Sequence, residues 1–125
     1  MKFELDEQDS HTILRVKEEK LNSVVAPNLK AEIVLLINKG RNNLIFDLSE
    51  VKFVDSSGLS ALLIAHRLCN NANGTFVISE LQENVSKLIN ISQLDNIMNI
   101  TSTVSEAIDQ ISGGGSVDKS SDNGE

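Results

Sequence analysis

The spacing of apolar residues changes period several times along the chain, and each change predicts a new element. Residues 3–5 carry Phe3 and Leu5, and residues 12–16 alternate well enough for a strand. Joined through the polar stretch 6–11, the two predict a hairpin. Ala26, Leu29, Ile33, Leu36 and Ile37 then recur at helical intervals. That helix is predicted to begin between Ser23 and Pro27, because proline is accepted only in the first turn, and to stop at Gly40.

An almost unbroken apolar run over residues 43–48, interrupted by Asp47, suits a strand covered on both faces. Leu59, Leu62, Leu63, Ile64, Ala65 and Leu68 spread over a broad helical face, which predicts a second helix buried on that side. Asn73-Gly74 predicts a turn, and residues 75–78 a short β-branched strand. Leu81, Val85, Leu88 and Ile89 place a third helix at residues 82–90, and residues 97–100 supply another short strand. Thr103-Val-Ser-Glu106 has capping-box form, with Thr103 as N-cap, Glu106 reaching back, and Val104, Ala107, Ile108 and Ile111 as the apolar stripe. This alternation predicts an α/β fold with one mixed β-sheet of about five strands and four flanking α-helices. The domain is expected to span residues 1–111. From Ser112 the periodicity stops, and residues 112–125 read as a flexible, acidic Gly/Ser-rich tail.

The candidate chemistry lies where the buried strand hands over to the second helix, at Val51-Lys-Phe-Val-Asp-Ser-Ser-Gly-Leu59. Asp55, Ser56 or Ser57 can cap the helix by accepting a backbone hydrogen bond, which is an ordinary structural use of such residues. The same position has a second use. The first N–H groups of a helix lack intrahelical partners and carry partial positive charge, so a phosphate on Ser56 or Ser57 finds donors in place.

Asp55-Ser56-Ser57-Gly58-Leu59 after a hydrophobic strand resembles the phosphorylation motif of the STAS family, specifically the bacterial anti-sigma factor antagonists. The resemblance covers roughly residues 2–111, with the strands and helices in matching order. It implies that Ser56, directly after the Asp, accepts phosphate, and that Asn22, Asp55, Ser56, Ser57, Gly58 and Leu59 meet the partner. Gly58 is expected to leave room for that partner's close approach. The family's Gly-Glu-Leu-Asp turn reads Glu19-Lys20-Leu21-Asn22 here, so a neutral amide stands where relatives carry a partner-contacting carboxylate. The implied role is a non-enzymatic partner switch. Unphosphorylated, it binds an anti-sigma factor that is also a serine kinase and so releases a sigma factor; a serine phosphatase of the metal-dependent class resets it. The competing expectation within the same family is an accessory subunit of a transport assembly, docked on a transporter ATPase without phosphorylation.

Composition narrows the classes further. With 11 Lys and Arg against 18 Asp and Glu, a net charge of −7 argues against binding a nucleic-acid backbone. Residues 1–6 have no apolar signal region and no stretch is long enough to span a bilayer, so a cytoplasmic protein is expected, with no membrane partner. Cys69 is the lone cysteine and is read as a structural thiol; His11 and His66 are read as solvent-facing or hydrogen-bonded. No metal-ligand spacing occurs. Ser56 lacks a histidine base, and Glu18-Glu19 and Asp47 with Glu50 read as solvated turns or surface, so no catalytic set is expected. Gly113-Gly-Gly-Ser116 lacks the Gly-Lys-Ser/Thr ending of a phosphate loop, and no cofactor is expected.

Overall fold

Alternation of Thr12, Leu14 and Val16 with Ile13 and Arg15 gives β2, Thr12–Val16, and β1, Phe3–Glu7, folds back on it antiparallel with Phe3 opposite Val16 and Glu7 opposite Thr12. The computed structural model describes residues 3–112. β1 runs two residues beyond the predicted strand, because Asp6 and Glu7 continue the ladder although neither is apolar. Next come β3, Lys20–Leu21, and α1, Ala26–Asn38, with Pro27 in its first turn. α1 ends in the predicted glycine: Gly40 takes φ 83°, its N–H donates to Ile37 O at 3.0 Å, and Arg41 N–H donates to Leu36 O at 2.8 Å. These two bonds satisfy carbonyls that the last turn would leave unpaired.

β4, Leu44–Asp47, is followed by β5, Phe53–Val54, α2, Ser56–Asn71, and β6, Phe76–Ser79. α3, Glu83–Ile91, a single 3-10 turn, Leu94–Asn96, β7, Asn99–Thr101, and α4, Val104–Ser112, complete the order. Five strands form one sheet in the order β1-β2-β4-β6-β7, antiparallel only between β1 and β2. The architecture is α/β, with four helices on a mixed sheet of five strands. Ser112 is the last residue of α4, its hydroxyl donating to Ile108 O at 2.8 Å, so the helix continues one residue past the predicted domain boundary. The predicted tail from residue 113 onward lies outside the described residues.

The helices divide unequally between the sheet faces. Leu29, Ile33 and Leu36 of α1, Leu62 and Ala65 of α2, and Val85 and Ile89 of α3 pack with Leu14, Leu44, Phe46, Phe76 and Ile78 in the larger core. α4 alone covers Ile13, Ile45 and Val77 on the other face, through Ala107, Val104, Ile108 and Ile111. Its cap is close to the predicted one: Glu106 N–H donates to Thr103 Oγ1 at 3.1 Å, while the Glu106 carboxylate reaches back to Ser102 N–H at 2.9 Å, one residue earlier than a capping box requires.

Two polar side chains are more buried than expected. Asp47, read as surface, is buried at the end of β4; it accepts from Ser49 N–H at 2.9 Å and pairs with Arg15 Nε at 3.3 Å. Burial of a carboxylate needs such partners. His11, read as solvent-facing or hydrogen-bonded, is buried and hydrogen-bonded to Ser10, whose hydroxyl lies 2.9 Å from Nδ1. The turn is closed over it by Arg41, which donates to Thr12 Oγ1 at 2.8 Å, to His11 O at 2.8 Å and to Gln8 O.

Candidate functional site

The segment between β4 and α2 turns twice before the helix starts. Val51 is buried and its N–H donates to Leu48 O at 3.0 Å, which bends the chain outward. Residues 53 and 54 then pair in parallel with residues 20 and 21, forming a second sheet of two short strands, β3 and β5. Lys52 N–H and Phe53 N–H both donate to Glu19 O, at 2.7 and 3.1 Å, and Asp55 N–H donates to Leu21 O at 3.2 Å. The segment carrying Asn22 and the loop carrying Ser56 are therefore fastened to each other by backbone bonds. Two-residue strands have no alternation to read, and this second sheet was not visible in the sequence.

Asp55 is the helix cap. Its backbone is extended, at φ −102° and ψ −172°, and its carboxylate accepts from Gly58 N–H at 3.0 Å. Asp55 O accepts from Leu59 N–H at 2.9 Å. With the cap supplied by Asp55, neither serine hydroxyl is used for it. Ser56 is exposed at the first position of α2, and among the described residues its hydroxyl has no hydrogen-bond partner; Ser57 is half-buried and likewise unbonded.

Gly58 and Leu59 face inward. Gly58 is buried, and a Cβ there would collide with the Leu21 carbonyl oxygen and lie 2.8 Å from Val54 Cγ1. The close approach of α2 to β3 is thus reason enough for glycine here, where the sequence reading expected room for a partner. Leu59 is half-buried against the larger core. Asn22 stays partly exposed, and its side-chain oxygen accepts from Val24 N–H at 3.1 Å and Val25 N–H at 3.2 Å, ahead of α1. An amide oxygen does this as well as a carboxylate, so the loop shape survives the change from the family's Asp.

Apolar side chains stand exposed around the loop. Val24 is 69% exposed, Phe53 54% and Ile91 79%. A shallow concavity of about 390 Å³ beside Asn22 is lined by Glu19, Val24 and Val25, and another of about 350 Å³ is lined by Lys52, Phe53, Leu88 and Ile91. The sequence pattern missed both, because Val24 and Phe53 sit outside any periodic stripe.

The STAS domain family model matches residues 2–107. The chain belongs to the STAS domain family. A relative from Thermotoga neapolitana, provisionally named an anti-sigma factor antagonist, is 31% identical over 77 residues, 62% of this chain and 68% of its own length. The crystal structure of the provisionally named anti-sigma factor antagonist TM1081 of Thermotoga maritima superposes with a TM-score of 0.79 at 26% identity, covering 88% of this chain and 94% of the other. The fold is also that of the anti-sigma factor antagonist SpoIIAA, solved unphosphorylated (TM-score 0.70, 21% identity, 90% of this chain and 99% of that one). SpoIIAA of Bacillus, solved phosphorylated, gives a TM-score of 0.68 at 23% identity over 88% and 99%.

Other candidate chemistry stays apart from the STAS loop. Cys69 is buried late in α2, and burial pushes its thiol up to about 12, which keeps it protonated and unreactive. His66 Nε2 lies 3.2 Å from Asn70 Nδ2, and its ring packs edge-on to Phe76. Among the described residues no cluster of three or more His, Cys, Asp or Glu could hold a metal ion, and no helix is long and apolar enough to cross a membrane.

Proposed function

We propose that this chain is an anti-sigma factor antagonist whose binding of an anti-sigma factor is switched off by phosphorylation of Ser56. The observation that carries the reading is the division of labour at the start of α2: Asp55 caps the helix, and the exposed Ser56 hydroxyl next to it is left free for a kinase. The partner surface comprises Asn22, Asp55, Ser56, Ser57 and the exposed Val24, Phe53 and Ile91 around them. The kinase is the anti-sigma factor itself, and a metal-dependent serine phosphatase reverses the reaction. Residues 1–112 serve as the whole binding module, in the cytoplasm.

Phosphorylation works locally. It adds about −1.5 to −2 charges. At Ser56 the phosphate sits against the free N–H groups of the first turn, which favour it in the free protein, and beside the Asp55 carboxylate. A partner that closes over Val24, Phe53 and Ile91 must then desolvate that charge, and a charge buried without a partner is costly.

The test is a matched set of variants against the cognate kinase, recovered by affinity capture from the source cell. Ser56→Ala is expected to bind whether or not ATP is present, and Ser56→Asp to lose binding while remaining folded. Ser57→Ala is expected to accept one phosphate and Ser56→Ala none. Equal binding by the Ala and Asp forms, phosphate on Ser57, or capture of transporter subunits in place of a kinase would overturn the reading.

A further inference from the structure

The two edges of the five-stranded sheet are finished differently. β1 presents Glu4, Asp6 and Glu7 along its length, and charged side chains on an edge discourage another strand from pairing there. β7 reads Asn99-Ile100-Thr101 and carries no charge, yet among the described residues it pairs with β6 alone.

The register tells which groups face out. Leu44 N–H bonds Thr75 O and Leu48 N–H bonds Ser79 O, so the odd residues of β6 serve β4 and the even ones serve β7. Asn99 and Thr101, opposite Val77 and Ser79, therefore bond inward, and the N–H and C=O of Ile100 point away from the sheet.

A slot lies along this edge. A cavity of about 410 Å³ runs from Ser86 and Asn90 of α3, past Asn99 and Ile100, to Gln110 of α4 on the opposite face. A second, of about 250 Å³, continues along Ile100, Thr101 and Ser102. The floor is thus an unpaired strand edge, and the walls are helices of the two layers. The lining offers amides and hydroxyls, and among the described residues Asp95 is the one acidic side chain in it.

We propose that this slot takes an extended segment of another protein as a sixth strand, paired to Ile100 and carrying a lysine or arginine beside Asp95. The charge follows from Asp95 and from a chain at −7, which repels an acidic segment. A second copy fits poorly, because it carries the same −7 charge and the same Asn99-Ile100-Thr101 edge with no cation to set beside Asp95. Residues 113–125 would have to reach the edge through α4, which lies on the opposite face from α1, α2 and α3; a parallel strand added that way makes a left-handed crossover, which sheets avoid. The slot takes Ser86, Ile89 and Asn90 of α3 and the concavity beside the Ser56 loop takes Leu88 and Ile91 of the same helix; the two share no lining residue, and the proposal does not depend on that loop's role.

The experiment uses the full chain and a fluorescein-labelled, acetylated Lys-Thr-Val-Thr-Val-Thr peptide, read by anisotropy and by amide NMR. Saturable binding is expected, with the Ile100 amide among the most shifted and most protected from exchange. Ile100→Pro removes the outward N–H, at an edge position where proline is tolerated. It is expected to keep a cooperative melt and to weaken binding about tenfold or more, the loss of a backbone bond and of close approach together. Asp95→Lys should weaken the lysine peptide and strengthen the counterpart with glutamate in its place. Absence of binding, equal binding by Ile100→Pro, or shifts confined to another surface would overturn the proposal. So would an Ile100 amide already protected in the free chain and freed by deleting Gly113–Glu125, or a dimer that Ile100→Pro dissociates, since the slot would then belong to the chain's own tail or to a second copy.

Discussion

Helix α2 begins among hydroxyls and ends among amides, and the two ends treat their polar groups in opposite ways. At the C-terminal end the amides of the segment facing the helix are used: Asn42 donates to Ala72 O at 2.8 Å, while Asn43 accepts from Thr75 N–H at 2.9 Å and donates to Ser10 O at 3.0 Å. Asn73 takes φ 63° so that Gly74 N–H can reach Cys69 O at 2.7 Å. At the N-terminal end Asp55 alone closes the helix, and two serine hydroxyls are left over. A hydroxyl already serving as cap would have to break that bond to be modified. Here the fold is held by the residue next to Ser56, so the phosphate proposed for Ser56 would change the charge there while the helix keeps its cap.

The comparison predicts a steep gradient of effects at the N-terminal end. Gly58→Ala is expected to be the largest, about 1–3 kcal/mol, since the new methyl must push the Leu21 carbonyl and with it the β3–β5 pairing. Urea denaturation with an unchanged slope would measure it. A variant as stable as the parent would mean that this end is as loose as its free hydroxyls.

Inside the helix, Cys69 gives a pH-dependent effect that reaches similar size, about 2 kcal/mol, at pH 10.5. Its folded thiol is raised to about 12 from a reference of 9.0, so the unfolded chain releases the proton first as pH rises. Stability from this group is complete below pH 9 and falls by about 1.4 kcal/mol per pH unit above it until the folded value is reached. Comparing the melting midpoints of the parent and Cys69→Ala at pH 8 and at pH 10.5 isolates the contribution; parallel curves would mean that the thiol is not sealed off.

Asp55→Ala removes the cap and should cost about 1 kcal/mol. Ser56→Ala, one residue on, should cost under about 0.5 kcal/mol, as for a surface side chain without partners. Equal losses would erase the distinction between holder and acceptor. Asn22→Asp has the opposite sign: it keeps the oxygen that accepts from Val24 and Val25 and adds charge near the start of α1, for a gain of about 0.3–1 kcal/mol in thermal denaturation. A loss would show that the amide NH₂ has a partner that the carboxylate cannot satisfy.

What could be read from the sequence follows from how local each cause is. β2 alternates over five residues, and the structure has it at the predicted bounds. The caps at Thr103 and Gly40 involve bonds only a few residues apart and were legible for that reason, while Asp55, Ser56 and Ser57 stayed open as the cap of α2 until the structure chose Asp55. β7 is shifted two residues from the predicted start, because Met98 is buried and bonded to Leu94 O after the 3-10 turn. Asp47 was misread and the packing of Gly58 was missed because their causes are distant: Arg15 lies 32 positions before the first, and Leu21 lies 37 before the second. Ser56 was singled out as a candidate through its neighbours Asp55 and Gly58, and Gly58 packs against Leu21.

The strand order β1-β2-β4-β6-β7 has a further consequence for how the chain reaches its fold. Each strand of the main sheet lies beside the one made before it, and none is inserted between two that are already paired. Assembly can therefore begin at the β1–β2 hairpin, the most local pairing, and add one crossover at a time in a single direction, without undoing earlier contacts. The register repeats the step: Thr12 lies opposite Leu44 and Leu44 opposite Phe76, so the first two crossovers close loops of equal length and carry equal entropic cost. β7 comes last in this sequence of additions, and its outer edge is the front at which the sheet stops growing.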